Sequence, residues 1–200
     1  MDFTREQIES VVKRKGFKWF DDTGAKNFDV NIIGIRNSSV GQSVTNLFDD
    51  RITISYKENG QWKFYSWFAT TDPGKKGVLE SRAQGGVARL VPGQYRGCYS
   101  IGLHQGRYQA LRQVKPVKVY RDDDRNLQFN EKTITEGIYG INIHKAGINS
   151  TFVENWSEGC QVFKKSSDFD LFMSIIKKAG EIHGNAFTYT LLNSSDFINV

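Results

Sequence analysis

Cys160 and His144 are the side chains in this sequence best suited to nucleophile and base work near neutral pH. Cys160 sits in Trp156-Ser157-Glu158-Gly159-Cys160-Gln161, directly after a glycine. Without a Cβ, Gly159 lets the chain turn sharply and lets a substrate approach the sulfur. Backbone N–H groups near such a turn form an oxyanion hole for acyl transfer. His144 lies sixteen residues upstream. A strand exit at His144 and a loop returning to Cys160 would let the two side chains meet. An imidazole at hydrogen-bond distance would then stabilise the thiolate and lower the thiol pKa. The plain alternative is a small buried cysteine and a core-edge histidine; the pairing at this spacing, with glycine before the thiol, raises the functional reading above it.

The remaining candidates carry less. Cys98, in Arg96-Gly97-Cys98-Tyr99, also follows a glycine but has no histidine a short loop upstream, so it reads as structural. His104, in Gly102-Leu103-His104-Gln105-Gly106, reads as a hairpin-end residue or as a substrate-loop contact. His183, after the last helical segment, reads as exposed. A zinc site from His104, His144 and an aspartate lacks HExxH-like spacing. Arg121 to Arg125 (RDDDR) reads as a polar turn, because the rest of a calcium loop is missing. No metal and no cofactor is expected.

With His144 followed by Ser157-x-Gly159-Cys160, the sequence resembles the active-site signature of the YkuD-type L,D-transpeptidases, in a divergent phage- or prophage-associated branch. Weaker features extend the resemblance over residues 70–164, including Thr71 to Gly74 and Pro92-Gly93-Gln94-Tyr95. The resemblance implies that Cys160 attacks a peptide carbonyl of a peptidoglycan stem and that His144 takes the thiol proton or pairs with a preformed thiolate. It implies an oxyanion held by the N–H of Cys160 with that of Gly159, in a loop that includes Ser157. It also implies a backbone carbonyl near Lys145 orienting His144. Substrate contacts are expected from Lys145, Asn142, Tyr139, Trp156, Glu158, Gln161 and His104. Glu158 departs from the second histidine usual in the family, and Gln161-Val162 departs from the residues that usually follow the cysteine. The order histidine then cysteine differs from papain-like and NlpC/P60-like enzymes, and the gap differs from those of caspases and sortases.

The elements that must position these residues read as mainly β, a β-sandwich-like YkuD-type domain with a short N-terminal helix and a helix after the nucleophile strand. Thr4-x-x-Gln7 has capping-box spacing and Ile8, Val11 and Val12 follow helical spacing, giving a helix over 4–15. Residues 20–50 read as loop-rich, with Gly24, Gly34 and Gly41, around one apolar run at 30–35. From Arg51 the period is two, and Asn59-Gly60 predicts a hairpin turn into an aromatic return strand containing Trp62, Phe64, Tyr65, Trp67 and Phe68. Residues 74–86 read as a flexible loop. Strands are predicted over 87–91, 99–104, 107–113, 117–120, 138–144 and 159–163. A helix is predicted from a Ser167 cap with Asp170 at the box position to Gly180, and a last strand holds Phe187, Tyr189 and Leu191. Residues 1–50 form a helical and loop segment packed on the catalytic domain of residues 51–200, the whole forming one structural unit.

The composition sets the surroundings. Of 200 residues, 38% are hydrophobic and 13% aromatic, which suits a folded domain and not a disordered chain. Two cysteines and three histidines exclude a disulfide scaffold and a histidine-rich metal site. The net charge of +5 favours anionic partners such as a wall polymer. No usual nucleic-acid motif is present, so that partner is not expected. No run approaches the roughly 20 apolar residues of a membrane span. The first sixteen residues contain no apolar signal core, so the expected route is synthesis in the cytoplasm and action on the bacterial wall after lysis or from a virion. The functional expectation is a peptidoglycan cysteine enzyme, with hydrolysis as endopeptidase or carboxypeptidase favoured over cross-linking. The alternative is a non-catalytic wall-binding or virion module on the same fold.

Overall fold

Thr4 opens helix α1 (Arg5–Arg14): its hydroxyl accepts from Gln7 N–H at 3.2 Å, and Gln7 Oε1 accepts from Thr4 N–H at 3.0 Å. The apolar stripe of Ile8, Val11 and Val12 packs on Ile33, Ile35 and Leu192. A computed structural model describes residues 2–21, 27–40 and 42–198; Gly24 and Gly41, expected in loops, lie outside the described residues.

Strand β1 (Asn31–Arg36) is buried on both faces, which explains its unbroken apolar run. Its Ile33 and Ile35 meet α1, and its Ile32 joins the interior cluster. The hairpin is formed as predicted: β2 (Asp50–Glu58) and β3 (Gln61–Thr70) are joined by Asn59 and Gly60, both at positive φ. The aromatic run of β3 divides by period two. Tyr65 and Trp67 pack inward, Trp62 and Phe64 pack under α1, and Phe68 stays exposed beneath the Arg51 guanidinium.

The chain continues through α2 (Lys75–Glu80), β4 (Val87–Leu90), β5 (Gly93–His104), β6 (Tyr108–Gln113), β7 (Val117–Asp122), β8 (Ile134–Gly137), β9 (Ile143–Lys145), β10 (Gln161–Phe163), α3 (Ser166–His183) and β11 (Phe187–Asn193). The mainly β expectation holds, but the main sheet closes into a barrel instead of forming two facing layers. Its order is β1-β11-β5-β6-β9-β10-β3-β2. β1 makes the closure, pairing parallel with β11 and antiparallel with β2, so no edge is left open there. Residues 1–50 therefore supply a barrel strand as well as a covering helix. A second sheet, β4-β7-β8, lies beside the barrel.

Three local expectations need correction. Residues 75–80 are helical, although they were expected in a flexible loop. Residues 138–142 are not a strand, because the Gln113 carboxamide takes their N–H groups: Oε1 accepts from Tyr139 at 3.1 Å and from Ile141 at 3.0 Å. The α3 cap is Lys165 without a side-chain bond, and the helix runs past Gly180 to stop before Gly184, at φ +89°. Among the described residues, no helix is long and apolar enough to cross a membrane.

Candidate active site

The topology places His144 and Cys160 one strand apart, offset by two register positions. β9 and β10 are parallel neighbours, with His144 opposite Val162 and Cys160 immediately before β10. A loop of sixteen steps in sequence thus becomes a lateral step between adjacent strands. Both side chains open into one cleft of about 540 Å³, with His104, Gln105, Arg107, Tyr108, Asn155, Trp156 and Glu158 along its walls.

The turn carrying Cys160 is tightly specified. Gly159 has φ +135°, and a Cβ there would lie 2.0 Å from the Ala88 carbonyl oxygen, so only glycine fits. Ser157 is fully buried and pins the turn: its hydroxyl donates to Cys160 O at 2.8 Å and accepts from Gly159 N–H at 3.1 Å. Gly159 N–H is therefore occupied, which corrects its expected share in an oxyanion hole. Cys160 N–H has no hydrogen-bond partner among the described residues and remains open for that role.

The segment 71–74 braces this turn from below. Gly74 N–H donates to Ser157 O at 2.9 Å. Thr71 N–H and hydroxyl donate to Asp50 Oδ2 at 2.6 and 2.8 Å. Arg36 donates to Thr71 O at 2.9 Å and pairs with Asp72 at 2.7 Å; Arg89 pairs with the same carboxylate at 2.8 Å. Burial pushes Asp72 up, but the two guanidiniums outweigh it and hold its carboxyl below the ordinary value. Burial, with the Asp72 charge beside it, pushes Asp50 up to about 7.

His144 is 4% exposed, and its Nδ1 meets Lys145 O at 2.9 Å. A carbonyl only accepts, so Nδ1 carries the proton and Nε2 is left as the base. This is the orientation expected from the carbonyl at Lys145. Tyr108 O–H donates to the same carbonyl at 3.3 Å. The His104 ring stacks on His144 with centroids 4.1 Å apart. Its Nδ1 faces Asn142 Nδ2 at 3.2 Å, and Asn142 Oδ1 is fixed by Gln113 N–H at 3.0 Å. Asn142 must therefore donate, and His104 carries its proton on Nε2.

Of the two expected modes, proton transfer from thiol to His144 and a preformed thiolate, the local burial favours the first. Burial pushes His144 down to about 4, the neighbouring His104 adds to this, and the Lys145 carbonyl opposes it. Burial pushes the Cys160 thiol up to about 11, with Asn142 N–H opposing and Glu158 reinforcing. Cys160 S–H donates to Gly140 O at 3.3 Å. Both shifts favour the uncharged thiol and the uncharged imidazole in the absence of substrate.

Of the expected substrate contacts, His104, Trp156 and Glu158 line the cleft. Gln161 does not: it is fully buried, accepts from Tyr189 O–H at 2.8 Å and donates to Gly159 O at 3.0 Å. Tyr139 is outside the cleft wall and donates to Thr135 Oγ1 at 2.8 Å. Asn142 and Lys145 orient the two imidazoles, and Lys145 Nζ pairs with Asp170 at 2.9 Å. Asn155 comes from the loop that returns from His144 to Cys160, while Gln105, Arg107 and Tyr108 carry almost no signal in the sequence. The signal for those three is their place at the turn following His104. Cys98 is buried in the main core, as expected. The chain matches no known family model, no curated protein and no solved structure.

Proposed function

We propose that this protein is a cysteine acyltransferase or peptidase of the YkuD-like L,D-transpeptidase type, acting on peptidoglycan stem peptides. The observation that supports it most is the shared cleft: a thiol and an imidazole from adjacent parallel strands, with Nε2 left free by the Nδ1–Lys145 bond. In this account the stem peptide enters the cleft and displaces the S–H bond to Gly140 O. His144 Nε2 takes the thiol proton as sulfur attacks the carbonyl. The developing oxyanion is held by Cys160 N–H, and the imidazolium then protonates the leaving amine. Transfer of this kind contributes about 10²–10⁴-fold. Water resolves the acyl-enzyme to give hydrolysis, or an amine resolves it to give a cross-link. The net positive charge suits an anionic wall polymer.

A non-catalytic wall-binding or virion module on the same fold is the second reading. It is favoured by the thiol being held protonated against Gly140 O. Incubation of sacculi with the wild type and with Cys160→Ala, followed by mass spectrometry of the muropeptides, separates the two.

A further inference from the structure

The end of β7 carries an acidic group that nothing in the active site uses. Asp122 is 1% exposed. Among the described residues, neither of its carboxylate oxygens has a hydrogen-bond partner, and the same is true of Glu131 Oε1. A buried carboxylate without partners is strongly unfavourable and calls for a counter-charge. The N–H groups of Asp124 and Arg125 partly offset the burial of the Asp122 carboxyl, but among the described residues no cation pairs with it. Carboxylate oxygens of Asp122, Asp124 and Glu131 lie within 4.8 Å of one another. A cation with metal–oxygen distances of about 2.3–2.6 Å spans oxygens that far apart.

We propose that Asp122, Asp124 and Glu131 form a binding site for a divalent cation, Ca²⁺, at the edge of the β4-β7-β8 sheet. The donor set is entirely hard oxygen, which suits Ca²⁺ and not a thiol- or imidazole-seeking metal. Asp122 supplies two buried oxygens and the half-buried Glu131 one, Oε1, none of them with a hydrogen-bond partner among the described residues. Asp124 closes the site from the surface, where its two oxygens also accept from Asn126 at 3.0 and 2.8 Å. The turn between Asp122 and Glu131 reverses through Arg125 and Leu127, both at positive φ, and so brings the two ends together. Water completes the shell, as is usual for Ca²⁺ sites with few protein ligands.

The location gives the ion a mechanical role. Asp122 is opposite Val87 in the β4-β7 ladder, and the next residue, Ala88, donates to Glu158 O at 3.1 Å. The cation ties down a sheet whose other strand touches the nucleophile turn. Three carboxylates with an open face correspond to a weak site, with Kd about 10⁻⁴–10⁻³ M.

The test is thermal unfolding of the full chain, stripped with chelator, in 0–20 mM CaCl₂ at constant ionic strength, with MgCl₂ as comparison. The proposal expects Ca²⁺ to raise Tm by about 3 °C or more, with a smaller rise for Mg²⁺. It also expects Glu131→Gln and Asp124→Asn to remove most of the rise, and Asp122→Asn to remove it while keeping or raising the ion-free Tm. If Asp122→Asn fails to fold, the other two variants decide. A wild type indifferent to 20 mM Ca²⁺ would overturn the proposal, because the carboxyls would then share protons instead of an ion. An equal Ca²⁺ response in the wild type, Glu131→Gln and Asp124→Asn would overturn it too, since the ion would bind elsewhere.

Discussion

At Cys160 burial dominates. The sulfur is one strand away from an imidazole, yet its proton goes to a carbonyl, and the thiol is pushed up to about 11. In the proposed mechanism, activation by His144 then requires the substrate. The free protein should react with iodoacetamide at pH 7 about a hundredfold more slowly than an unperturbed thiol, since the thiolate fraction falls tenfold for each unit of pKa. The Cys160 rate, followed by peptide mass spectrometry, should keep rising beyond pH 9. An inflection below pH 8 would mean a preformed thiolate–imidazolium pair and would contradict this balance. His104 acts on the same centre by stacking on His144, and its own pKa is lowered by burial and by Arg107 and Arg112.

At the scale of elements, two glycines that look alike in the sequence behave oppositely. Gly159→Ala drives a Cβ into the Ala88 carbonyl at φ +135°, and should cost ~3 kcal/mol of unfolding free energy and abolish turnover. Gly180→Ala meets only ordinary contacts at 3.4 and 3.5 Å inside α3, and should be neutral or stabilising by up to ~1 kcal/mol. Urea denaturation of both variants checks the pair; equal losses would contradict it. The same contrast explains what could be read from the chain. Local signals were legible: the Thr4 capping box, the Asn59-Gly60 hairpin, and the alternation in β11. The His144–Cys160 pairing was legible as a spacing. Non-local pairings were not. β1 finds β11 more than 150 residues later, and Gln113 replaces a strand ladder by bonding Tyr139 and Ile141 from afar. Arg107 and Tyr108 reach the cleft only because β6 turns back beside β9.

Across the whole molecule the two site imidazoles resist protonation when folded. The unfolded chain takes up these protons first, near pH 6.5, so their contribution to stability is complete above that pH. It is lost as the pH falls toward about 4. For His144 the full span is worth about 3 kcal/mol. His144→Gln should therefore flatten the acid side of a stability-against-pH curve between pH 6.5 and 4, and an unchanged slope would contradict the buried neutral imidazole. The closed barrel sets the site at the seam between β9 and β10, braced by the Arg36–Asp72–Arg89 network and by the small sheet. The most direct measurement is the muropeptide profile of sacculi after incubation with the wild type and with Cys160→Ala. The account predicts loss of a terminal D-amino acid, loss of a cross-link, or a new cross-link, with the wild type alone. Identical profiles with both proteins, across several wall chemistries, would contradict it.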